Sequence, residues 1–332
     1  MKVAIVVLNY NGLNLLKIFI PQLIKNCLGV DFYVVDNGSD DDSVNYLINE
    51  YPNIKVIINE KNFGYAGGYN KSLNEINAEL FICLNNDATF TDKKSVNNII
   101  EVFKKNPEIV AAQPRIINYT NRKIFDYAGA SGGFIDLFGY PFCRGRIFTE
   151  IEDATKYSTT REIFWASGCC LVIRKSSFNS VNGFDSSFFA HMEEIDLCWR
   201  LKNNNKSNKI VVIGNANVYH LGGATLNYNT VNKNYLNFRN SLVMLIKNLP
   251  KKLMFISLTG RFFIDFIILI FSLTTLNFKV VKGIIKAYFF VIINLINIFR
   301  LRSSKTSNFK FYYCKSIFYN FFFKRKKFFS EI

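Results

Sequence analysis

Residues 3–8, Val-Ala-Ile-Val-Val-Leu, form an unbroken apolar run that stops at Asn9-Tyr10-Asn11-Gly12. A strand with no polar side is buried on both faces, the condition of a parallel sheet covered by helices. The pattern recurs down the chain. Residues 13–27 read as a helix, 32–35 as a second strand ending in Asp36-Asn37-Gly38-Ser39, and 55–58 as a third after another helical stretch. Residues 80–84 are a fourth buried strand, closed by Asn85-Asn86-Asp87. The alternation predicts an α/β fold with a mostly parallel, doubly wound sheet, which binds ligands at the carboxyl ends of its strands. Here those ends are small and polar, which favours a nucleotide site.

The stretch Asn62-Phe63-Gly64-Tyr65-Ala66-Gly67-Gly68-Tyr69-Asn70 is glycine-rich and leads into a helix. Glycines let backbone approach a ligand, and a helix N-terminus favours phosphate. An ordinary turn is the commoner meaning of such a stretch. It is neither GxGxxG nor a P-loop, so a plain dinucleotide or ATP site is disfavoured. Asp87, at a strand end beside two amides, suits a hard divalent cation bridging phosphates, with an Asx-turn as the competing reading.

A second patterned stretch begins at the turn Asn182-Gly183 and ends in a helix around residues 193–201. At helical spacing Glu194, Leu197, Cys198 and Leu201 share one stripe, and Glu193, Asp196 and Arg200 another. Asp196 and Arg200 are i,i+4 partners. Glu194 heads the apolar stripe, so its carboxylate points toward packed protein, where it can serve as a base. An acidic first turn that suits the helix dipole is an equal reading of these residues alone.

At 332 residues the chain holds one large domain and an appendage. Its charge of +16 is concentrated at one end: residues 241–332 carry 16 Lys/Arg against Asp265 and Glu331, while residues 1–240 carry 25 basic and 23 acidic groups. Seven cysteines without CxxC spacing read as reduced, buried thiols of a cytoplasmic protein. The apolar N-terminus is too short for a signal peptide and lacks a cleavage site. Beyond residue 247, long apolar stretches are interrupted by Arg261 and Asp265, and aromatics alternate with Lys/Arg at 309–313 and 321–329. That composition suits the headgroup region of an anionic membrane, with in-plane amphipathic helices favoured over a spanning hairpin. A helical dimer interface competes, and nucleic acid is the least favoured partner.

Taken together, seven pieces in order resemble the inverting glycosyltransferases of family 2, in particular the bacterial rhamnosyltransferase-like branch. They are residues 7–12, 34–40, 62–70, 84–87, the run Trp165-Ala166-Ser167-Gly168-Cys169-Cys170 with its continuation to Arg174, residues 183–200, and His220-Leu221-Gly222-Gly223-Ala224. The resemblance covers about residues 1–245. It implies a GT-A nucleotide-diphospho-sugar transferase fold over 1–245 and a helical, membrane-associating tail over 246–332. It further implies that Asn9, Tyr10 and Asp36 hold base and ribose, and that Asn62, Gly64, Gly67, Asn70 and Asn86 line the nucleotide-sugar pocket. Asp87, with Asn85 in the first place of the DxD-like motif, and His220 are implied to meet Mg²⁺ or Mn²⁺ on the diphosphate. Glu194 takes the place of the base, where Asp is commoner, with Glu193 as its neighbour and rival.

The implied reaction moves a sugar, rhamnose by family weight, from a nucleotide diphosphate to a hydroxyl of a cell-surface glycan or lipid-linked acceptor. Residues 115–160, rich in aromatics and glycine, read as part of the acceptor side or as a surface excursion. The implied location is cytoplasmic, peripherally attached to the inner face of the cell membrane, with homo-oligomerisation open. Two other classes stay open: a nucleotide-sugar-binding protein without catalysis, and a sugar nucleotidyltransferase.

Overall fold

The computed structural model describes residues 1–27, 29–222, 231–302 and 309–332. Gly223 and Ala224 of the last motif lie outside the described residues. The first half is regular α/β alternation: β1 (Val3–Asn9), α1 (Leu13–Asn26), β2 (Asp31–Asp36), α2 (Ser43–Glu50), β3 (Lys55–Ile58), α3 (Gly64–Leu73), β4 (Leu80–Asn85), β5 (Ala88–Phe90), α4 (Lys93–Lys105) and β6 (Ile109–Asn118). Four short strands follow, β7 (Gly133–Ile135), β8 (Pro141–Cys143), β9 (Arg146–Ile147) and β10 (Glu150–Ile151), and then β11 (Arg161–Glu162). After β12 (Cys170–Arg174) and α5 (Lys175–Ser180) come α6 (Glu193–Asn204) and β13 (Lys209–His220). The chain finishes in α7 (Val231–Asn248), α8 (Lys251–Thr274), α9 (Phe278–Ile293) and α10 (Leu295–Arg300), followed by an irregular end.

The main sheet runs β11-β13-β6-β12-β4-β1-β2-β3, with β5 paired to β13. β1, β2, β3, β4, β6 and β13 point one way, and β5, β11 and β12 the other. The sheet is therefore mostly parallel. Alternate side chains explain why its strands show no polar side. Ala4, Val6, Val35, Phe81 and Cys83 enter one core, and Val3, Ile5, Val7, Val34, Ile82 and Leu84 enter the other. The run that opens at Trp165 enters the main sheet only at Cys170: Phe164 and Trp165 bond to Gly133 of β7 instead. Residues 115–160 are not a surface excursion. β7–β10 form a small antiparallel sheet, and Phe134, Tyr140 and Phe142 are buried in the main core.

The expected boundary at residue 245 falls inside α7, so the helix that opens the tail also closes the catalytic part. The chain end returns to that part as well. Phe311 stacks on Trp199 at 4.9 Å between ring centroids, and Phe329 lies 5.2 Å from Phe134 and 5.0 Å from Tyr313. Tyr313 N–H donates to Ile135 O at 2.9 Å, and Ile317 N–H to the Asp136 carboxylate at 3.0 Å. The expectation of headgroup aromatics is thus corrected for Phe311 and Phe329, which are core residues. Phe322 and Phe323 do remain exposed.

In α8 the two charges are buried on the protein side. Arg261 Nε lies 2.8 Å from Asp265, whose other partners are the hydroxyls of Tyr140 and Tyr288. The opposite face, with Phe255, Phe262, Phe266 and Ile270, is exposed and apolar, and Ile285, Phe289 and Ile292 extend it on α9. Among the described residues α8 is the one helix long and apolar enough to cross a membrane, by length and composition.

Candidate active site

The carboxyl ends of β1, β2 and β4 meet in a web of short polar side chains. Asp36 is fully buried and its carboxylate is saturated. It accepts from Asn9 Nδ2 at 3.1 Å, Ser39 Oγ at 2.6 Å and Ser39 N–H at 2.8 Å. Asn86 Nδ2 donates to Asn9 Oδ1 at 2.9 Å and so ties β4 to β1. A Cβ on Gly12 would come within 2.3 Å of both Asn86 Nδ2 and Asn9 Oδ1, which is why the chain has no side chain there. Tyr10 is half-buried at the rim.

Asn37, not singled out in the sequence, is the second hub. Its Nδ2 donates to Asn62 Oδ1 and to Gly64 O, both at 3.0 Å, and its Oδ1 accepts from Asn59 Nδ2 at 3.0 Å. Asn62 Oδ1 in turn accepts Gly64 N–H at 2.8 Å, fixing the start of α3. Gly64 has φ +71°, and a Cβ there would meet Phe189 O at 2.4 Å. Gly67 sits inside α3 against Phe63, so its smallness serves packing of that turn. Asn70 gives its amide to Phe184 O at 2.8 Å and Ser186 Oγ at 3.0 Å, and accepts Phe184 N–H at 2.9 Å. It is committed to the loop before α6.

Asp87 is buried, and its Oδ1 has no hydrogen-bond donor among the described residues. What faces that oxygen is His220 Nε2 at 3.1 Å, an ion-pair contact rather than a formed hydrogen bond. The other ring nitrogen, Nδ1, lies 2.9 Å from Asp126 Oδ1. Burial opposes charge on His220, but the Cys169 sulfur, Asp126 and Asp87 outweigh it and hold its pKa well above the ordinary histidine value. A carboxylate that fixes one ring nitrogen while the other is turned to a second carboxylate is the usual outer support of a metal-binding histidine. Either a proton or a divalent cation satisfies the Asp87–His220 pair. No group of three or more His, Cys, Asp or Glu arranged to hold a metal occurs among the described residues. A magnesium-type cation does not need one, since one or two carboxylates plus phosphate oxygens suffice. The residues present therefore fit such an ion.

The opposite wall is the N-terminus of α6. Phe189, His191 and Met192 all lie at positive φ (63°, 69° and 70°), an unusual run of left-handed non-glycine residues. It delivers Glu193 and Glu194 with one oxygen each, Oε2, buried and without a hydrogen-bond partner among the described residues. Burial raises both pKa values. The Glu194 carboxyl is pushed up to about 7, with backbone N–H groups of Glu194, Ile195 and Gly168 opposing the shift. Glu193 is raised well above the carboxylate range by burial and by the charge of Glu194. Glu193 is 4 % exposed.

Asp196 and Arg200 do pair, at 2.7 Å, but the pair is an interior hub: Asp196 is fully buried and also meets Lys247 and Asn248. Gly168 joins the two walls. It accepts the Tyr65 hydroxyl at 2.7 Å on its carbonyl, and the next residue, Cys169, accepts Asn85 N–H at 3.0 Å from the end of β4. A cavity of about 590 Å³ opens beside Asp126, lined also by Tyr127, Arg146 and, from α7, Lys233 and Asn237.

Asn37 and Asp126 are participants that the sequence did not single out. Asn37 had a local signal, a second amide directly after a strand-end Asp. Asp126 had none, because it acts on a histidine 94 positions away.

Comparison with known proteins bears on this geometry. Residues 4–181 match the family model described as Glycosyl transferase family 2. N-acetylglucosaminyl-diphospho-decaprenol L-rhamnosyltransferase of Mycobacterium tuberculosis is 24 % identical over 187 residues, 52 % of this chain and 61 % of that protein. Low-salt glycan biosynthesis hexosyltransferase Agl10 of Haloferax volcanii is 27 % identical over 209 residues, 61 % of this chain and 62 % of that one. The chain therefore spans about three fifths of the length of these curated relatives. Among solved structures, GalNAc-T7 with UDP, GalNAc and Mn²⁺ superposes with a TM-score of 0.60 at 13 % identity, covering 76 % of this chain and 48 % of that one. Mannosyltransferase PcManGT from Pyrobaculum calidifontis, in complex with GDP-Man and Mn²⁺, gives 0.51 at 10 % identity, covering 88 % and 75 %. At such identities the likeness is one of fold: this chain has the fold of GT-A enzymes.

Proposed function

Because the chain belongs to glycosyl transferase family 2, we propose that it transfers a sugar from a nucleotide-diphosphate donor to a hydroxyl of a cell-surface glycan or lipid-linked acceptor, inverting the anomeric carbon. One observation carries the reading: a partly unsatisfied carboxylate, Glu194, next to the Gly168 backbone that abuts the end of β4, with Asp87 two residues beyond that end. A carboxylate with pKa near 7 is matched to taking a proton from an acceptor hydroxyl at neutral pH. The acceptor oxygen forms its bond to the anomeric carbon as the diphosphate leaves from the opposite face, and Glu194 receives the hydroxyl proton. Glu193, more deeply buried, keeps its own proton and maintains the apolar surroundings that raise Glu194.

The web around Asn9, Asp36, Asn37 and Asn62 forms the floor for base and ribose, with Tyr10 at its rim. Asp87 and His220 would hold Mg²⁺ or Mn²⁺, which would neutralise charge on the diphosphate. The cavity beside Asp126 is the acceptor side. Rhamnose is the first donor sugar to try, given the M. tuberculosis relative's name.

The exposed apolar face of α8 and α9 is flanked by Lys251, Lys252, Lys279 and Lys282, which suits peripheral attachment to an anionic lipid surface with the helices lying in its plane. The test is a panel of nucleotide sugars offered to purified protein, read by thermal shift, slow donor hydrolysis and transfer to acceptor. Stabilisation and hydrolysis with one donor class is the expected result. Release of pyrophosphate from a sugar phosphate and a nucleotide triphosphate would sink the reading.

A further inference from the structure

We infer that Asn240, with Arg239, is a positioning residue for the base: a clamp on α7 that holds the left-handed loop from which Glu193 and Glu194 project. The inference rests on the transfer reaction proposed above. Residues 187–192 cannot hold themselves. Three of them lie at positive φ, and apart from Ala190 N–H on Phe188 O and Asp196 N–H on Met192 O their carbonyls take their donors from outside the loop.

Those donors come from two places. On one side, Tyr65 N–H at the start of α3 donates to Phe189 O at 2.7 Å. On the other, α7 supplies nearly all the rest. Asn240 Nδ2 reaches Phe188 O at 3.1 Å, Ala190 O at 2.9 Å and His191 O at 2.7 Å. Arg239 Nη2 reaches Ser187 O at 2.8 Å and Phe188 O at 3.0 Å. Arg239 Nε also donates to Asn240 Oδ1 at 2.7 Å, which orients the amide so that its nitrogen faces the loop. The Asn240 side chain is 1 % exposed, so no water competes for these bonds.

An amide meeting three carbonyls within four residues of one loop is more than helix packing requires. Packing of α7 on α6 is already secured by Lys247 and Asn248 on Asp196. What Asn240 adds is the direction in which α6 begins. Among the described residues, Asn9, Asp36, Asn37 and Asn62 have no hydrogen bond to α7, and the donor-pocket residues that do meet the loop, Gly64 and Asn70, reach it from α3 on its other side. The clamp therefore acts on the base and not on donor affinity. The adjoining residue, Ser241, accepts from Arg261 of α8, so the clamp lies between the apolar helical face and the base.

The test uses the full chain and Asn240→Asp, which keeps the volume but presents a carboxylate to three carbonyls. The expected result is a kcat lower by about 100-fold, the scale of a 1 Å misplacement, with the donor KM and nucleotide affinity unchanged. Hydrogen exchange in residues 185–194 should speed up while that of β1–β4 stays put, a readout that does not depend on activity. Asn203→Ala is the control. It removes another buried amide between α6 and α7, donating to Asn248 O at 3.2 Å, and should lower the melting temperature without lowering kcat. If Asn240→Asp does not fold, Arg239→Ala removes the orienting donor from a more exposed position and should show the same pattern in milder form. Normal kcat and unchanged exchange in 185–194, or donor affinity falling in step with kcat, would overturn the clamp. Failure of the wild type to transfer any sugar would overturn the reaction instead, leaving the exchange result to judge the loop.

Discussion

On the donor side of the site, Asn9, Asp36, Asn37, Ser39, Asn62 and Asn86 satisfy one another through bonds of 2.6 to 3.1 Å, and nothing in them is strained. On the side of α6, Glu193 and Glu194 each keep a buried oxygen unpaired, and the loop delivering them runs through three left-handed residues. The first region is made from strand ends, where small amides fit without cost to the sheet. The second stores desolvation and backbone strain, each worth of order 1–3 kcal/mol, which persists only because neighbouring helices over-determine it. The proposed function thus assigns recognition to the satisfied groups and chemistry to the unsatisfied ones.

The largest expected effect breaks the second region alone. Glu194→Gln should lower transfer by about 100- to 10,000-fold with donor affinity nearly unchanged, measured by initial rates and calorimetric titration of the nucleotide. Glu193→Gln should cost far less. If Glu193→Gln is the inactive variant, the two roles are exchanged; if both transfer normally, the base lies elsewhere.

Next comes the link between the regions. Asp87→Ala should abolish transfer and erase the difference in nucleotide-diphosphate affinity with and without Mn²⁺. Wild-type affinity that ignores the metal would remove Asp87 from that role.

The contrast also predicts how each region responds to loss of a polar group. Asn37→Ala orphans the Asn59 amide and Gly64 O, and should cost about 1–3 kcal/mol in urea unfolding. Glu193→Gln should do the opposite at high pH. Its carboxyl pKa is raised on folding, so the folded state keeps a proton that the unfolded chain releases. That contribution is fully present below the ordinary value of 4.5 and is lost as pH rises. At pH 8 the variant should therefore be more stable than wild type, and the gap should close toward pH 4. A gap that widens on acidification would show Glu193 to be ionised and paired. Transfer itself should rise with pH through about 7, as Glu194 gives up its proton.

The smallest effect concerns lipid. Binding to vesicles with anionic headgroups should exceed binding to neutral ones and weaken with salt, in a sedimentation assay. Equal binding to both would remove the electrostatic part of the attachment.

The sequence made the first region legible because burial on both faces of a parallel sheet leaves an unmistakable apolar run, and a polar cluster at its end has one place to be. Asp87 stands out by its place after a buried strand, whereas Asn9, Asp36 and Asn62 are singled out by the family resemblance, and the structure brings all four to the same end of the sheet. The stripe reading places the Glu194 carboxylate toward packed protein, as the structure has it, but periodicity does not reveal that α7 covers the second face of α6 and buries Glu193 as well. Asp126 and Asn240 act across 94 and about 50 residues of chain, and no local pattern encodes such a meeting. The aromatic end failed for a related reason. A Phe between lysines is equally suited to lipid or to a core, and only the presence of Phe134 and Trp199 decides that Phe311 and Phe329 belong inside.

The ion pair of α8 has a consequence for how the protein is made. As it leaves the ribosome, residues 251–274 form the segment that a membrane-insertion machinery would inspect as a span. Arg261 and Asp265 fall near its middle, where each costs about 2.5 to 3.5 kcal/mol to place at the bilayer centre. Of their partners, Tyr140 and Ser241 precede this segment in the chain and Tyr288 follows it. Docking of the pair on those hydroxyls keeps both charges off the exposed apolar face, so the helix meets the folded chain with its polar groups and the outside with its apolar ones.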